Sequence, residues 1–369
     1  MRGEERLPGA GRRGEGVSLS HAESGEVVAD REDPGGEPVR PVTISYIAQS
    51  AGVSIPTVSK VINGRSGVAA DTRARVEALI SQYGYRRPAP STRSNMMELV
   101  FDELEHMWGV EIIRGVERVA RAHRVGVVLT EFGPQRSAIH YWIDDTLARR
   151  PDCVVSVAQL SDEQRDQLRA RGIPFVVFDP TIELPEDVPF VGATNWAGGR
   201  SATRHLIGLG HRRVAMIGGS DRLLFCRARF DGFRSAMEAA SLPVEADLVV
   251  RTTLTTEGGR AAALDLLARP DRPTAIFANN DLQALGVYQA AHELGLRIPA
   301  DLSVVGFDDL PMAALVHPGL TTVHQPLTEM AVAATELALA LGRGEKAPQV
   351  GIELATTLTV RESTAPPAR

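Results

Sequence analysis

The sequence predicts a small all-α helix-turn-helix headpiece followed by an α/β core of two doubly wound parallel-sheet lobes. Two patterns predict it. Between Val42 and Gly64, apolar residues recur at helical spacing on either side of a glycine. From Glu98 onward, short apolar runs alternate with helical stretches, the signature of parallel sheets covered on both faces. Charge separates the two parts. Residues 41–95 carry seven Lys/Arg against two acids, a net +5 inside a 369-residue chain whose total is -6. Residues 1–40 hold six Arg and nine acids, which leaves -8 on the remainder. A basic module on an acidic body is the electrostatic footprint of a nucleic-acid binder.

Residues 1–40 are rich in Gly, Glu and Arg and almost free of aliphatic periodicity. They bury too little apolar surface to fold alone and are expected to be a disordered extension. Ile44, Ile47, Ala48 and Ala51 then fall on one face of a first helix, which Gly52 ends. Ser54 is placed to cap a second helix, with Pro56 tolerated in its first turn and Val58, Val61 and Ile62 as its apolar face. Two short helices about a glycine turn form the unit whose second helix enters the major groove. A plain helical hairpin shares that spacing, so the polar residues decide. The second helix offers Ser54, Thr57, Ser59, Lys60 and Asn63 and no carboxylate, which suits phosphates and base edges. A third helix is expected over Asp71–Tyr83, with Val76, Leu79 and Ile80 inward.

The core strands are expected at Leu99–Phe101, Val127–Leu129, Cys153–Val155, Phe175–Phe178, Val214–Ile217, Ala275–Ala278 and Ser303–Phe307. Helices are expected over Glu111–Arg124, Ser161–Arg171, Ala197–Leu209, Arg229–Ala240, Gly258–Leu267 and Leu282–Leu294. So many strands suit two lobes, with ligand bound beyond the strand ends in the cleft between them. Asp179, Asn280 and Asp308 each follow a strand, and Arg229 is expected on the first turn of a helix after a loop. Two carboxylates, an amide and a guanidinium offer the acceptors and forked donors that vicinal hydroxyls need. Helix capping is the competing role for Asp308, and Asp309 is assigned to it.

The run Val42-Thr43-Ile44-x-x-Ile47-Ala48-x-x-Ala51-Gly52-Val53-Ser54-x-x-Thr57-Val58-Ser59-x-Val61-Ile62-Asn63-Gly64 resembles the headpiece of the lactose-repressor (LacI) family. Gly67-Val68, Thr72–Val76 and Gly84-Tyr85 extend the match. By resemblance, Ile55, Pro56 and Lys60 read bases, while Thr43, Ser54, Thr57, Ser59 and Asn63 contact phosphates. Tyr46 replaces an Asp common in the family. Ile113-Arg114-Gly115, Leu206–Val214, Arg229-x-x-Gly232-Phe233, Ala278–Asp281, Gly306–Asp309 and Leu320–Val323 are similar to the family's effector-binding core, itself similar to periplasmic sugar-binding proteins. Asp179, Arg229, Asn280 and Asp308 match effector contacts there. Ser156, Leu254 and Gln325 match cleft-lining positions, and Trp108 matches the loop opening the first core helix, free either to stack on a pyranose or simply to pack.

The resemblance implies a headpiece over 41–85, a hinge linker over 86–97 and a core over 98–362. Its N-lobe is about 98–193 plus 325–345, its C-lobe about 194–322 plus 348–362, and 363–369 are a disordered tail. The family's linker forms a hinge helix with a leucine wedge in the minor groove. This linker has two prolines and no leucine, which leaves Met96 or Met97 as the candidate wedge and a plain extended linker as the alternative.

Cys153 and Cys226 share no metal-ligand spacing, Cys153 opening an apolar run as a core residue would. The nine histidines are scattered, and His205 and His211 are expected near a helix end. A pair of carboxylates such as Asp179 and Asp308 is also what a glycosidase uses, but no Gly-x-Ser-x-Gly, His-Glu-x-x-His or phosphate loop accompanies them. No cofactor, metal or enzyme activity is expected, and neither is a membrane span or a signal peptide.

These features point to a cytoplasmic homodimeric repressor of carbohydrate-utilisation genes. Its partners are a pseudopalindromic double-stranded operator and a small effector, a sugar, with a pentose or xylo-oligosaccharide as one conjecture. The dimer, rather than a tetramer, is expected because the chain stops without a leucine-rich C-terminal helix. A cytoplasmic sugar-binding protein with a non-functional headpiece is the alternative reading.

Overall fold

The computed structural model describes residues 44–62, 66–83, 94–104, 107–133 and 139–368. These fall into two compact units, within 1–90 and within 91–369.

The first unit is three helices, α1 (Ile44–Ala51), α2 (Ile55–Ile62) and α3 (Ala70–Gln82). Ile47, Ala48, Ala51, Val58, Val61 and Val76 are its buried centre, with Leu79 and Ile80 packed against them. So small a core is enough only because every inward position is filled by the helical period. Gly52 at φ +66 ends α1, and the Val53 amide returns to the Ala48 carbonyl at 3.0 Å, a helix stop that glycine makes without strain. Ser54 Oγ accepts the Thr57 amide at 3.4 Å at the start of α2. The Tyr46 ring meets the Tyr83 ring edge-on at 5.3 Å, so this departure from the family packs α1 against the end of α3.

The second unit begins with β1 (Met96–Phe101), α4 (Trp108–His123), β2 (Gly126–Glu131), α5 (Ile139–Arg149), β3 (Cys153–Ser156), α6 (Asp162–Ala170), β4 (Phe175–Phe178) and β5 (Phe190–Ala193). The chain then crosses into α7 (Asn195–Gly208), β6 (Val214–Gly218), α8 (Leu224–Ala239), β7 (Val249–Arg251), α9 (Thr256–Leu267), β8 (Ala275–Ala278), α10 (Asp281–Glu293), β9 (Ser303–Asp308) and β10 (Thr321–His324). It recrosses for α11 (Leu327–Gly342) and β11 (Gly351–Leu354) and ends through β12 (Thr357–Thr359). One six-stranded sheet runs β11-β5-β4-β3-β1-β2, and the other runs β12-β10-β9-β8-β6-β7. Every pairing is parallel except that of β12 with β10. Each sheet has a buried apolar cluster on both faces, which is why its strands read as continuous apolar runs. Buried Cys153 belongs to one of these clusters.

Several expectations need correction. Residues 348–362 do not all belong to the C-lobe: β11 adds to the first lobe's sheet beside β5, and only β12 joins the second. The segment from Ser363 is not a loose tail. Ser363 is fully buried, its hydroxyl accepting from the Thr321 amide at 2.8 Å and donating to the Val304 carbonyl at 2.6 Å. Low apolar content suggested disorder, but polar side chains and backbone supply the anchoring. His205 and His211 bind this same segment rather than a helix end, through Thr364 Oγ1 at 2.9 Å and the Ala365 carbonyl at 2.9 Å. Met96 and Met97 are strand residues of β1, and Met97 is fully buried, so Met97 is core rather than a wedge. Residues 86–93 of the linker lie outside the described residues.

Candidate functional site

The carboxyl ends of β1, β4, β8 and β9 open on one cleft between the two lobes. A cavity of about 300 Å³ sits there, and Asp179, Arg229, Leu254, Asn280, Asp308, Gln325 and Trp108 all line it. Ser156 does not. It is fully buried on β3 with its hydroxyl donated to the Ala158 carbonyl at 2.8 Å, and Val157 faces the cavity instead. A larger groove of about 750 Å³ shares only Asp179 and Phe225 with the cleft. The smaller cavity is the candidate, because Asp179 from the first lobe and Arg229, Asn280 and Asp308 from the second converge on it.

Arg229 organises the site. It is the sixth residue of α8, on the second turn rather than the first, and its side chain is almost wholly buried. Nε donates to Asn195 Oδ1 at 2.9 Å, Nη1 to the Asn279 carbonyl at 2.6 Å and Nη2 to Gln325 Oε1 at 2.9 Å. Asp308 Oδ1 lies 3.5 Å from Nη1, and the guanidinium carbon stands 3.5 Å from the centre of the Phe307 ring. Gln325 Nε2 donates to Asp179 Oδ2 at 3.0 Å. A polar chain therefore runs from Asp179 on the first lobe through Gln325, on a crossover segment, to Arg229 and Asp308 on the second.

Electrostatics and backbone geometry set these carboxylates apart. Burial pushes Asp308 up to about 7 against the pull of Arg229, with Asp179 adding repulsion. Burial also raises Asp179, opposed by Arg229, Gln325 and Asn195. Asp179 at φ 45 and Asp308 at φ 107 hold positive backbone angles that L side chains rarely adopt, strain concentrated at a site.

Asn280 is the N-cap of α10, its Oδ1 accepting the Gln283 amide at 2.9 Å and its Nδ2 donating to the Leu254 carbonyl at 3.0 Å. Asp309 caps nothing. It accepts from Arg361 Nη2 at 2.7 Å and Thr359 Oγ1 at 3.1 Å, tying β12 down. Sequence reasoning missed Asp281, Asn195, Asp102 and Glu103. Asp281 is wholly buried and accepts from Thr322 Oγ1 at 2.6 Å and the Leu310 amide at 2.8 Å. Burial, with repulsion from Asp308, raises it well above the usual carboxylate range. Asp102 had a usable signal, since it directly follows the run Leu99-Val100-Phe101 just as Asp179 follows its own strand.

The cavity thus presents carboxylate and amide groups beside apolar walls from Trp108, Phe225 and Leu254. Such a lining has the chemistry to suit a compact molecule rich in hydroxyls. Among the described residues, no three His, Cys, Asp or Glu side chains gather to hold a metal ion. No described helix is long and apolar enough to cross a membrane.

In the first unit, α2 exposes Ser54, Ile55, Pro56 and Lys60, with Thr57 and Ser59 half-buried. Its first turn holds no acid and its last holds Lys60. The hydroxyls of Ser54 and Thr57 lie 2.9 Å apart, so both serve the helix start as well as facing out. Thr43 and Asn63 lie outside the described residues.

Comparison with known proteins gives two family matches. Residues 43–88 match the model described as bacterial regulatory proteins, lacI family, and residues 203–364 match a periplasmic binding protein-like domain. The chain is similar to the HTH-type transcriptional regulator MalR of Streptomyces coelicolor, 35% identical over 87% of this chain and 96% of that protein. It is 32% identical to the ribose operon repressor of Escherichia coli (strain K12), over 78% of this chain and 89% of the relative. Among solved structures, a complex of the transcriptional regulator CelR with cellobiose aligns at TM-score 0.68 and 32% identity, covering 87% of this chain and 99% of that one. The lac repressor dimer bound to operator and an anti-inducer aligns at TM-score 0.65 and 26% identity, covering 88% and 100%.

Proposed function

The chain belongs to the LacI family of bacterial regulatory proteins, and from that premise we propose that it represses carbohydrate-utilisation genes under the control of a small saccharide bound in the cleft. The observation that carries the saccharide is the chain Asp179–Gln325–Arg229–Asp308, because it spans both lobes and ends in acceptors at the cavity. A ligand hydroxylated on several edges bonds to both ends at once, so its binding energy depends on how the lobes are set. The apolar walls then pack against the sugar's C–H faces.

On DNA, α2 lies in the major groove. Ile55 and Pro56 have no side-chain hydrogen-bonding group and read by apolar contact, as with thymine methyls, while Lys60 supplies a donor. Thr43, Ser54, Thr57, Ser59 and Asn63 position the helix on phosphates. One headpiece covers a half-site, so a homodimer on a pseudopalindromic operator is the working form, acting in the cytoplasm where the DNA is. Coupling is reciprocal: if saccharide weakens operator binding by some factor, operator weakens saccharide binding by the same factor.

The test is a fluorescence-anisotropy titration of the full-length protein against DNA upstream of its own and neighbouring genes, at fixed salt, with and without a panel of mono- and oligosaccharides. Sequence-selective binding released by one saccharide is the expected result. Selective binding that no saccharide alters keeps the regulator and removes the sugar. Saccharide binding without selective DNA binding favours the sugar-binding protein with a non-functional headpiece.

A further inference from the structure

We infer that the cleft takes an uncharged polyhydroxylated ligand and rejects its phosphorylated or otherwise acidic derivatives, with Asp102 and Glu103 as the discriminating residues. This rests on the saccharide reading of the same cavity and adds its charge class.

The lining contains four acids, Asp102, Glu103, Asp179 and Asp308, and one base, Arg229. That base is not available to an anionic ligand. Its guanidinium already donates to three protein acceptors and faces Asp308 at 3.5 Å. An arriving phosphate or carboxylate therefore enters a space with a surplus of negative charge and no uncommitted cation among the described residues. Burial holds Asp308 up at about 7 even against the pull of Arg229, and a bound anion meets the same desolvation cost.

Helix N-termini are the other source of anion affinity, and four of them border the cavity through Trp108, Phe225, Leu282 and Leu327. Three carry an acid in the first turn, and the fourth spends its first amide on the opposite lobe. Asn280 caps α10 by side chain, with Asp281 in its first turn. The first amide of α8, that of Leu224, donates to the Thr181 carbonyl at 2.9 Å across the cleft. The first turns of α4 and α11 carry Glu111 and Glu329. The positive ends of α4, α10 and α11 are thus offset by the chain itself, and that of α8 in part.

Asp102 and Glu103 add the excess. Both are half-buried at the end of β1, on the lobe opposite Asp308, so a ligand between the lobes has acids on two sides. The Gln159 amide donates to Asp102 Oδ2 at 3.2 Å and fixes that carboxylate.

Isothermal titration of the full-length protein tests this, using neutral mono- and disaccharides each paired with its phosphate or uronic acid. A neutral saccharide is expected to bind, and its acidic partner at least roughly 100-fold more weakly, as like-charge juxtaposition demands. Asp102→Asn with Glu103→Gln should narrow the gap between the acidic partner and its neutral parent by about tenfold or more, whatever the change in the parent's own affinity. Glu103→Gln alone, which disturbs no buried network, should show part of the same gain if the double variant fails to fold. Equal binding of parent and acid by the wild type overturns the proposal, as does a Glu103→Gln variant that folds without narrowing the gap. Failure of every saccharide, with operator binding intact, overturns it together with the sugar reading, whereas tight binding of an acid overturns the charge class alone.

Discussion

The recognition helix and the cleft solve the same problem, holding polar groups ready for a partner, by opposite means. In α2 the functional groups are neighbours in sequence, exposed because Val58 and Val61 turn the other face inward. Helical geometry places them, with Ser54 and Thr57 also bonded to each other. In the cleft they come from positions as far apart as Asp179 and Gln325, are buried or half-buried, and hold one another in place. A residue of the first kind can be changed alone. A residue of the second kind cannot, since removing it leaves other buried groups without partners.

Arg229→Ala is the sharpest way to break that contrast. It strips the partner from Asp308, Gln325 and Asn195 at once, and breaking a buried ion pair by removing one member costs roughly 3–5 kcal/mol. We expect loss of saccharide response together with a large drop in the thermal midpoint of the core. An Arg229→Ala core that melts like wild type would falsify the view that the site is one network. Arg229→Lys should rescue little, since an ammonium cannot serve three acceptors set in a fork.

Titration separates the regions next. Asp308 ionises at about 7 in the folded core and near 3.8 when unfolded. Between those values the folded state keeps a proton that the unfolded state has released. Its contribution is therefore fully present below about pH 3.8 and lost as pH rises through about 7. One such group is worth at most about 1.4 kcal/mol per pH unit across that window. Unfolding midpoints of Asp308→Asn measured from pH 5 to 8 should fall less steeply than those of wild type, the more so because Asp281 loses a repulsive neighbour. Parallel curves would show that Asp308 stays ionised throughout.

How far the sequence could be read follows the same division. Apolar periodicity located α1, α2 and α3 to within a residue or so of their bounds, because local spacing alone decides which face is buried. The same rule located the core's seven long apolar strands. It missed β5, β7, β10, β11 and β12, short segments that are strands because they pair with neighbours in the sheet, as β5 does with β4. Strand-end position found Asp179, Asn280 and Asp308. Family resemblance misplaced Ser156, whose hydroxyl finds a carbonyl two residues on, and the capping role assigned to Asp309 gave way to Arg361, 52 residues away. It passed over Asp281, which reads as an ordinary first-turn acid until Thr322 and Leu310 are seen to bury it. Networks closed over long separations leave no periodic trace.

Lys60→Ala should be the smallest change and the cleanest. Lys60 is exposed in the last turn of α2, and Val58 and Val61 hold that helix whether or not Lys60 is there. Stability should therefore move by less than about 0.5 kcal/mol, and saccharide affinity not at all. Operator affinity should fall by about tenfold at fixed salt, with preference relaxed at one base pair of each half-site, the loss expected of a single base-reading side chain. A uniform loss over all sequences, with a salt dependence reduced by about one counterion, would move Lys60 to a phosphate. Unchanged affinity and unchanged preference would remove α2 from the groove altogether. A fall in core stability would mean the two regions are less separable than their burial patterns imply.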